Sequence, residues 1–233
     1  MKRILITGAD SYIGESVRDY LMNMPELYDV KIIDTVGWEP HEADFTGFDV
    51  VFNVAGIAHI KETAENRPLY YAINRDLAIK IAQKAKAAGV KQFILLSTMS
   101  VYGIVTGRIN KSTPTNPVNA YGRSKAKADE VIKKLADDSF KFACLRPPMV
   151  YGRDCKGNYQ RLRKFALSSP VFPDYKNQRS MIYIGNLCEF VKDTIDQERS
   201  GLFFPQNSKY TRTSDMVKAI ARCHGKKLVL IKA

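Results

Sequence analysis

Ile4-Leu5-Ile6-Thr7-Gly8-Ala9-Asp10-Ser11-Tyr12-Ile13-Gly14 is the stretch that decides the fold. The apolar run predicts a buried strand, and it leads directly into a turn with glycine at both ends of a Gly-x-x-x-x-x-Gly frame. In such a turn the first glycine allows the tight bend, the last lets helix and strand pack closely, and a pyrophosphate sits on the helix N-terminus. Ser11 replaces the usual central glycine, and its hydroxyl can donate to a phosphate oxygen. The candidate dinucleotide contacts here are Gly8, Asp10, Ser11, Tyr12, Ile13 and Gly14.

A carboxylate ends the second predicted strand. Asp34 lies 20 residues beyond Gly14, where its side chain can accept hydrogen bonds from the adenosine ribose hydroxyls. Because a carboxylate at this point repels a 2′-phosphate, NAD is favoured over NADP as the cofactor. Asp44, after the loop that contains Pro40, is a candidate adenine contact or an ordinary loop carboxylate.

Buried strand patterns alternate with helical patterns through most of the chain. The strands are predicted at residues 4–7, 30–34, 50–54, 93–97 and 142–145, and the clearest helices at 69–88 and 121–136. Such alternation predicts an α/β fold, a Rossmann-type doubly wound parallel sheet with helices on both sides. We expect residues 1–150 to form the NAD-binding domain and residues 151–233 a small substrate-binding lobe, partly interleaved with the sheet, that is either minimal or incomplete.

The composition is that of an ordinary soluble globular protein, with 45% hydrophobic and 26% charged residues among 233. The first apolar run is too short for a signal peptide, and no run approaches the roughly 18 residues of a membrane span. We therefore expect a cytoplasmic protein without a membrane partner. Four scattered cysteines and three scattered histidines suggest neither a disulfide framework nor a metal site.

The net charge of +12 admits a nucleic acid or another phosphate-rich partner. Most basic residues, however, are mixed with acidic ones, as in residues 123–138, and no recognisable nucleic-acid recognition module accompanies them. No nucleic-acid partner is predicted. Basic residues are most concentrated in residues 153–164, which contain five lysines and arginines and one aspartate.

Tyr121 and Lys125 place a phenol and an ammonium one helical turn apart, 23 residues after Thr98. An ammonium held near a phenol favours the phenolate, so the spacing predicts a lowered pKa for Tyr121 and a general base. Taken alone, the spacing is equally compatible with a surface lysine beside a half-buried tyrosine.

Taken together, these motifs resemble the extended short-chain dehydrogenase/reductases, and most closely the NAD-dependent sugar epimerase/dehydratase family. The likeness covers about residues 3–190. It rests on the glycine turn, Asp34, the segment 97–103 and the Tyr-x-x-x-Lys pair, together with residues 53–56, His59, Asn74, the segment 145–152 and the segment 179–184.

The resemblance implies a role for each matching residue. Tyr121 would be the acid/base, Lys125 the cation that binds the nicotinamide ribose, and Thr98 the hydroxyl that hydrogen-bonds the reacting sugar oxygen. Other implied cofactor contacts are Ala55, Asn74 and Pro148, and the implied substrate contacts, besides Thr98, are Asn158 and Arg179. The substrate would be a nucleotide sugar such as a UDP-hexose, and a homodimer and a place in polysaccharide biosynthesis are compatible with the family.

Two departures from the family pattern affect the expected chemistry. The dehydratase branch carries an Asp-Glu pair after the catalytic threonine, whereas this chain has Met99 and Ser100, which argues against elimination of water. Asn186 replaces an acid common near the end of the Arg179 segment. The leading hypothesis is an NAD-dependent nucleotide-sugar 4-epimerase. The alternatives are an NAD(P)H-dependent 4-keto-sugar nucleotide reductase and a non-catalytic NAD(P)-binding regulator.

Overall fold

The computed structural model describes residues 1–37, 43–58 and 60–232. His59 and the loop around Pro40, both named above, lie outside the described residues. The chain divides into two compact units, one of Met1–Pro147 with Cys188–Pro205 and one of Pro148–Leu187 with Gln206–Ala233. After the first segment of the second unit, the chain therefore returns to the first unit for residues 188–205.

The described residues form ten strands and seven α-helices, with one π-helical turn and one 3-10 turn. In order they are β1 Lys2–Thr7, α1 Tyr12–Met22, β2 Tyr28–Ile33, β3 Val50–Asn53, α2 Arg67–Tyr71, a π-helical turn Ala72–Leu77, α3 Ala78–Ala87, β4 Gln92–Leu96, a 3-10 turn Met99–Tyr102, α4 Ala120–Lys133, β5 Lys141–Leu145, β6 Met149–Tyr151, α5 Asn158–Ser168, β7 Val171–Pro173, β8 Met181–Tyr183, α6 Ile184–Asp196, β9 Gly201–Phe203, α7 Thr213–Cys223 and β10 Val229–Ile231.

The first unit is built on a parallel six-stranded sheet in the order β2-β1-β3-β4-β5-β9. The predicted Rossmann-type fold is confirmed. The central strands are covered on both faces, which is why they read as continuous runs of valine, isoleucine, leucine and phenylalanine. β2 lies on one side of β1, and β3 and the later strands lie on the other side, so the strand order changes direction between β1 and β3. Ligands of such sheets bind at the carboxyl ends of the strands beside this point.

The helical segment after β3 contains an irregularity that the sequence did not predict. The expected helix over residues 69–88 is divided by the π-helical turn Ala72–Leu77, which holds the fully buried Asn74. Such turns are frequent at functional sites because they redirect a side chain without ending the helix. Beyond the turn, small and branched residues of α3 pack against the sheet and α4; these are Ala78, Ile81, Ala82 and Ala85.

The second unit has its own small core. Its strands form two parallel pairs, β7 with β10 and β6 with β8. A separate apolar cluster holds Ala166 of α5, Phe172 of β7 and Val217 of α7. Asn177 supplies the cap of α7 from a distant part of the sequence, since its Oδ1 accepts a hydrogen bond of 2.9 Å from the amide of Thr213.

Candidate functional site

The turn between β1 and α1 lies in close backbone contact with the end of β2 and with the residues after β3. Gly8 has a φ of +104°, in the region that favours glycine, and its amide donates to the carbonyl of Ile33 at 2.9 Å. A Cβ at Gly8 would lie only 2.8 Å from the amide nitrogen of Ala55. Gly8 and Ala55, both predicted cofactor contacts, are therefore neighbours beside the reversal point of the sheet.

Ser11 is the N-cap of α1. Its φ and ψ of −80° and 129° are extended rather than helical, and its Oγ accepts a hydrogen bond from the amide of Gly14 at 3.2 Å. Asp10 precedes it with a φ of +59°, and its amide donates to Glu15 Oε1 at 3.3 Å. Tyr12 begins the helix immediately afterwards. All of the predicted turn residues thus surround one helix N-terminus, where the free amide groups and the helix dipole favour an anion.

The two predicted adenosine carboxylates differ in their surroundings. Asp34 is exposed directly after β2 and accepts a hydrogen bond of 3.0 Å from the amide of Val36. Asp44 is also exposed, and its carboxylate accepts from the amide of Thr46 at 2.8 Å. Hydrogen bonds from Thr46 lower the pKa of Asp44. Asp44 is therefore held within its own loop, whereas Asp34 is exposed at a strand end, and the adenosine contacts proposed for both stay predictions.

Asn74 holds the loop that follows β3. Its Oδ1 accepts from the amide of Ile57 at 2.8 Å, and its Nδ2 donates to the carbonyl of Ile57 at 3.0 Å. A Cβ at Gly56 would lie 2.7 Å from Asn74 Oδ1 and 3.2 Å from Lys125 Nζ. Asn74 therefore supports the backbone beside Lys125, and its proposed contact with the cofactor remains a prediction.

Helix α4 and the end of β4 meet in a series of side-chain contacts. Asn119 caps the helix by accepting from the amide of Gly122 at 2.8 Å. Lys125 is buried, and its Nζ donates to the carbonyl of Leu96 at 3.0 Å. Thr98 follows β4 two residues later, and its hydroxyl interacts with the phenol of Tyr121. The structure thus brings the three predicted catalytic residues, Thr98, Tyr121 and Lys125, together.

The pKa of Tyr121 is raised, not lowered as the sequence suggested. Burial of the phenol is the main cause, and the hydroxyl of Thr98 acts in the opposite direction. The Lys125 ammonium is held at the carbonyl of Leu96, and burial lowers its pKa from 10.5 to about 8. The physical reason for the correction is that helical spacing reports a shared face but not the loss of water around it.

Several neighbours of this site were not assigned a role from the sequence. The ring of Tyr70 packs edge to face on Tyr121 with centroids 6.4 Å apart. Glu62 accepts a hydrogen bond of 2.7 Å from the amide of Ala120, the first residue of α4. Asp129, one turn beyond Lys125, is bound by Arg146 at 2.9 Å. Of these, only Asp129 carries a sequence signal, its four-residue spacing from Lys125.

The remaining predicted contacts belong to the second unit. Pro148 is its first residue, and Asn158 is exposed at the start of α5. Arg179 is also exposed, and its backbone pairs with that of Thr211 through hydrogen bonds of 2.9 and 3.0 Å. The substrate roles of these residues stay predictions.

Within the described ranges there is no group of three or more histidine, cysteine or acidic side chains that could hold a metal ion. The same part of the chain contains no helix that is long and apolar enough to cross a membrane.

A Rossmann-type unit whose strand ends gather a glycine turn, an exposed aspartate and a Thr-Tyr-Lys set defines an NAD-binding oxidoreductase or isomerase. Comparison with known proteins narrows this class. The chain belongs to the NAD dependent epimerase/dehydratase family, which residues 4–202 match. NAD is accordingly its cofactor.

Its relatives by sequence include two 4-epimerases. The UDP-glucose 4-epimerase of Vibrio cholerae is 27% identical over 246 residues, covering 94% of this chain and 75% of the relative. An Escherichia coli O157:H7 relative, N-acetyl-alpha-D-glucosaminyl-diphospho-ditrans,octacis-undecaprenol 4-epimerase, is 26% identical over 217 residues, which is 85% of this chain and 64% of that protein.

Solved structures with similar folds include enzymes with different activities. The UDP-glucuronic acid 4-epimerase of Bacillus cereus in complex with NAD superposes with a TM-score of 0.80 at 19% identity, over 98% of this chain and 87% of that one. A dTDP-4-dehydrorhamnose reductase from Clostridium acetobutylicum gives a TM-score of 0.83 at 21% identity, over 99% and 83%. At these identities the likeness shows the fold.

Proposed function

We propose that this protein is an NAD-dependent nucleotide-sugar 4-epimerase. The observation that carries the proposal is the contact between α4 and the end of β4, where Thr98, Tyr121 and Lys125 meet beside the glycine turn. The sequence relatives that act as 4-epimerases support the same reading.

The residues at the strand ends fit NAD. Gly8 has the backbone conformation and the close approach to Ala55 that a dinucleotide turn requires, and the exposed Asp34 can accept from the adenosine ribose hydroxyls. The Lys125 ammonium would donate to the nicotinamide ribose. When bound, NAD⁺ supplies an acceptor for hydride from the sugar carbon and later a donor of the same hydride.

Tyr121 would move the proton of the sugar hydroxyl. As a phenolate it removes that proton while the carbon loses hydride and becomes a ketone, and as a phenol it returns the proton after the sugar has turned over. Its raised pKa favours the phenol in the protein as described. The positive charges of Lys125 and of oxidised nicotinamide favour the phenolate, so the base form would be generated when the cofactor is bound.

The residues after Thr98 favour inversion without loss of water. Met99 has no ionisable group, and the hydroxyl of Ser100 lies 3.3 Å from that of Thr98 within the 3-10 turn. Elimination needs an acid and a base on the substrate, and a thioether and an aliphatic hydroxyl are poor substitutes for two carboxyl groups.

Asn158 and Arg179 are proposed to hold the phosphates of the sugar nucleotide. Both are exposed, and the planar guanidinium of Arg179 can donate two hydrogen bonds to one phosphate. We propose a UDP-hexose as the substrate.

The test is incubation of the purified protein with UDP-hexoses while sugar products and NADH absorbance are followed together. Sugar inversion without net change in NADH supports the epimerase, whereas stoichiometric consumption of NADH would identify a 4-keto-sugar reductase instead.

Tyr121→Phe should reduce turnover by about 10²- to 10⁴-fold, the usual contribution of a general acid–base residue. Tyr210→Phe, at an exposed tyrosine of the second unit, is the matched control. An undiminished phenotype of Tyr121→Phe in cells would instead favour a non-catalytic regulator.

A further inference from the structure

Helix α4 carries a third functional group on the face of Tyr121 and Lys125. Asp129 lies one turn beyond Lys125 and is 5% exposed. Its Oδ2 accepts from Ser97 Oγ at 2.7 Å and from Arg146 Nη2 at 2.9 Å. Arg146 is 8% exposed and also donates to the hydroxyl of Tyr102 at 2.6 Å. The carboxylate is thus part of a buried network that joins the catalytic helix to the ends of β4 and β5.

Three consecutive residues at the exit of β4 each meet one of these helical groups. Leu96 accepts from Lys125 through its carbonyl, Ser97 donates to Asp129, and Thr98 interacts with Tyr121. We propose that Asp129 is a positioning residue, which keeps the Lys125 ammonium charged for binding the cofactor and fixes the segment that presents Thr98. This inference rests on the cofactor role proposed for Lys125.

The effect of Asp129 on the charge of Lys125 matters because Lys125 is buried. Loss of water lowers its pKa to about 8, and the negative charge of Asp129 is the main influence in the opposite direction. Below that pH the side chain is an ammonium, and it loses its charge as the pH rises through that value. Without Asp129 this loss would begin at a lower pH, inside the physiological range.

The other ionisable groups around Lys125 cannot replace Asp129. On α4 the neighbour is Tyr121, whose raised pKa keeps it neutral in the protein without cofactor, and the ring of Tyr70 of α2 packs on Tyr121. At the end of β5 burial raises the pKa of the Cys144 thiol, which also stays neutral, and Arg146 is a cation. Burial raises the pKa of Asp129 too, but Arg146, Ser97 and Lys125 itself favour its charged form.

The geometry allows charge and hydrogen bonding to be separated. Ser97 and Arg146 both bind Oδ2 of Asp129, and Oδ1 is buried without a hydrogen-bond partner among the described residues. In Asp129→Asn the amide oxygen can take the place of Oδ2 and keep both partners, while the charge is lost. Ser97→Ala removes a hydrogen bond and keeps the charge.

The experiment measures NAD⁺ affinity by calorimetry from about pH 6 to about pH 10, a range that covers the titration of a perturbed lysine. In the wild type the affinity should fall as the pH rises through about 8. Asp129→Asn should move this midpoint down by at least about one pH unit, since a neighbouring charge shifts a pKa by that amount. Asp129→Glu should restore the midpoint, and Ser97→Ala should leave it in place.

Arg146→Gln provides a second arm in case Asp129→Asn does not fold. Because Arg146 favours the charged form of Asp129, its loss should move the midpoint in the same direction as Asp129→Asn, to lower pH. An unchanged midpoint in Asp129→Asn, an equal shift in Ser97→Ala, or an upward shift in Arg146→Gln would overturn the proposal. The readout needs no sugar, so a wild type without epimerase activity that shows these shifts would reject the proposed function and retain the role of Asp129.

Discussion

Gly122→Ala tests whether the contact between α4 and the 3-10 turn sets the catalytic geometry. In an ordinary helix this substitution stabilises by about 1 kcal/mol, because alanine has the higher helix propensity. Here the new Cβ would lie 2.6 Å from the carbonyl oxygen of Ser100 and 3.0 Å from Cβ of Pro117. Backbone oxygen cannot rotate away, so the start of α4 must retreat by roughly 0.4 to 0.8 Å.

The expected cost has two parts. Overpacking of this kind costs about 1 to 3 kcal/mol, so after the gain in helix propensity the variant should be destabilised by up to about 2 kcal/mol. Tyr121 is the adjacent residue and would move relative to Thr98. Since a misplacement of about 1 Å can reduce turnover about 10²-fold, we expect a loss of roughly 10- to 100-fold.

Calorimetric melting and the sugar-inversion assay measure the two effects. Gly185→Ala is the matched control, because it lies in the first turn of α6 and its new Cβ would meet only the ring of Tyr183, 2.8 Å away and 45% exposed. An exposed ring can rotate, so this control should be neutral or stabilised. A Gly122→Ala protein that is stabilised by about 1 kcal/mol and fully active would refute the reasoning.

Three further substitutions test the cofactor turn and the buried network. Asp34→Ala should raise the affinity for NADP relative to NAD by about tenfold, equivalent to about 1.4 kcal/mol, because the carboxylate no longer repels a 2′-phosphate. Calorimetric titration with both cofactors measures this ratio, and an unchanged ratio would count against the role of Asp34. Gly8→Ala should cost about 1 to 3 kcal/mol and abolish the rise in melting temperature on adding NAD, since its φ is +104° and Ala55 lies 2.8 Å from the new Cβ. Tyr102→Phe should lower the free energy of unfolding in urea by about 1 to 3 kcal/mol, because the buried Arg146 guanidinium loses an acceptor at 2.6 Å; a midpoint equal to that of the wild type would show that another group replaces the hydroxyl.

The first five strands of the sheet could be predicted because a strand buried on both faces is a continuous apolar run. The place of β9 could not, because its pairing with β5 joins residues such as Cys144 and Leu202, which are separated in the sequence by the first segment of the second unit. The π-helical turn at Ala72–Leu77 was missed for a different reason. Its sequence keeps the pattern of an ordinary helix, and the turn is visible only once Asn74 is seen to bind Ile57.

In the candidate site, too, features set by neighbouring residues in the sequence were predictable, and features set by distant residues were not. Helical spacing correctly placed Tyr121 and Lys125 on one face, which is a property of the helix alone. It did not report the burial that raises the pKa of Tyr121, because burial depends on elements far away in the sequence. Asp129 had the right spacing to be noticed, but its role depends on Ser97 and Arg146, which directly follow β4 and β5.

The late return of residues 188–205 to the first unit has a consequence for biosynthesis. The side chain of Gln92, the first residue of β4, donates to the carbonyls of Thr194 and Arg199 at 3.0 Å each, and β9 covers the edge of β5. On the ribosome this edge and this amide stay unpaired until about fifty more residues have been made. A nascent chain that stalls in that interval exposes an open strand edge to other chains, so rapid completion of the return segment protects the protein from aggregation.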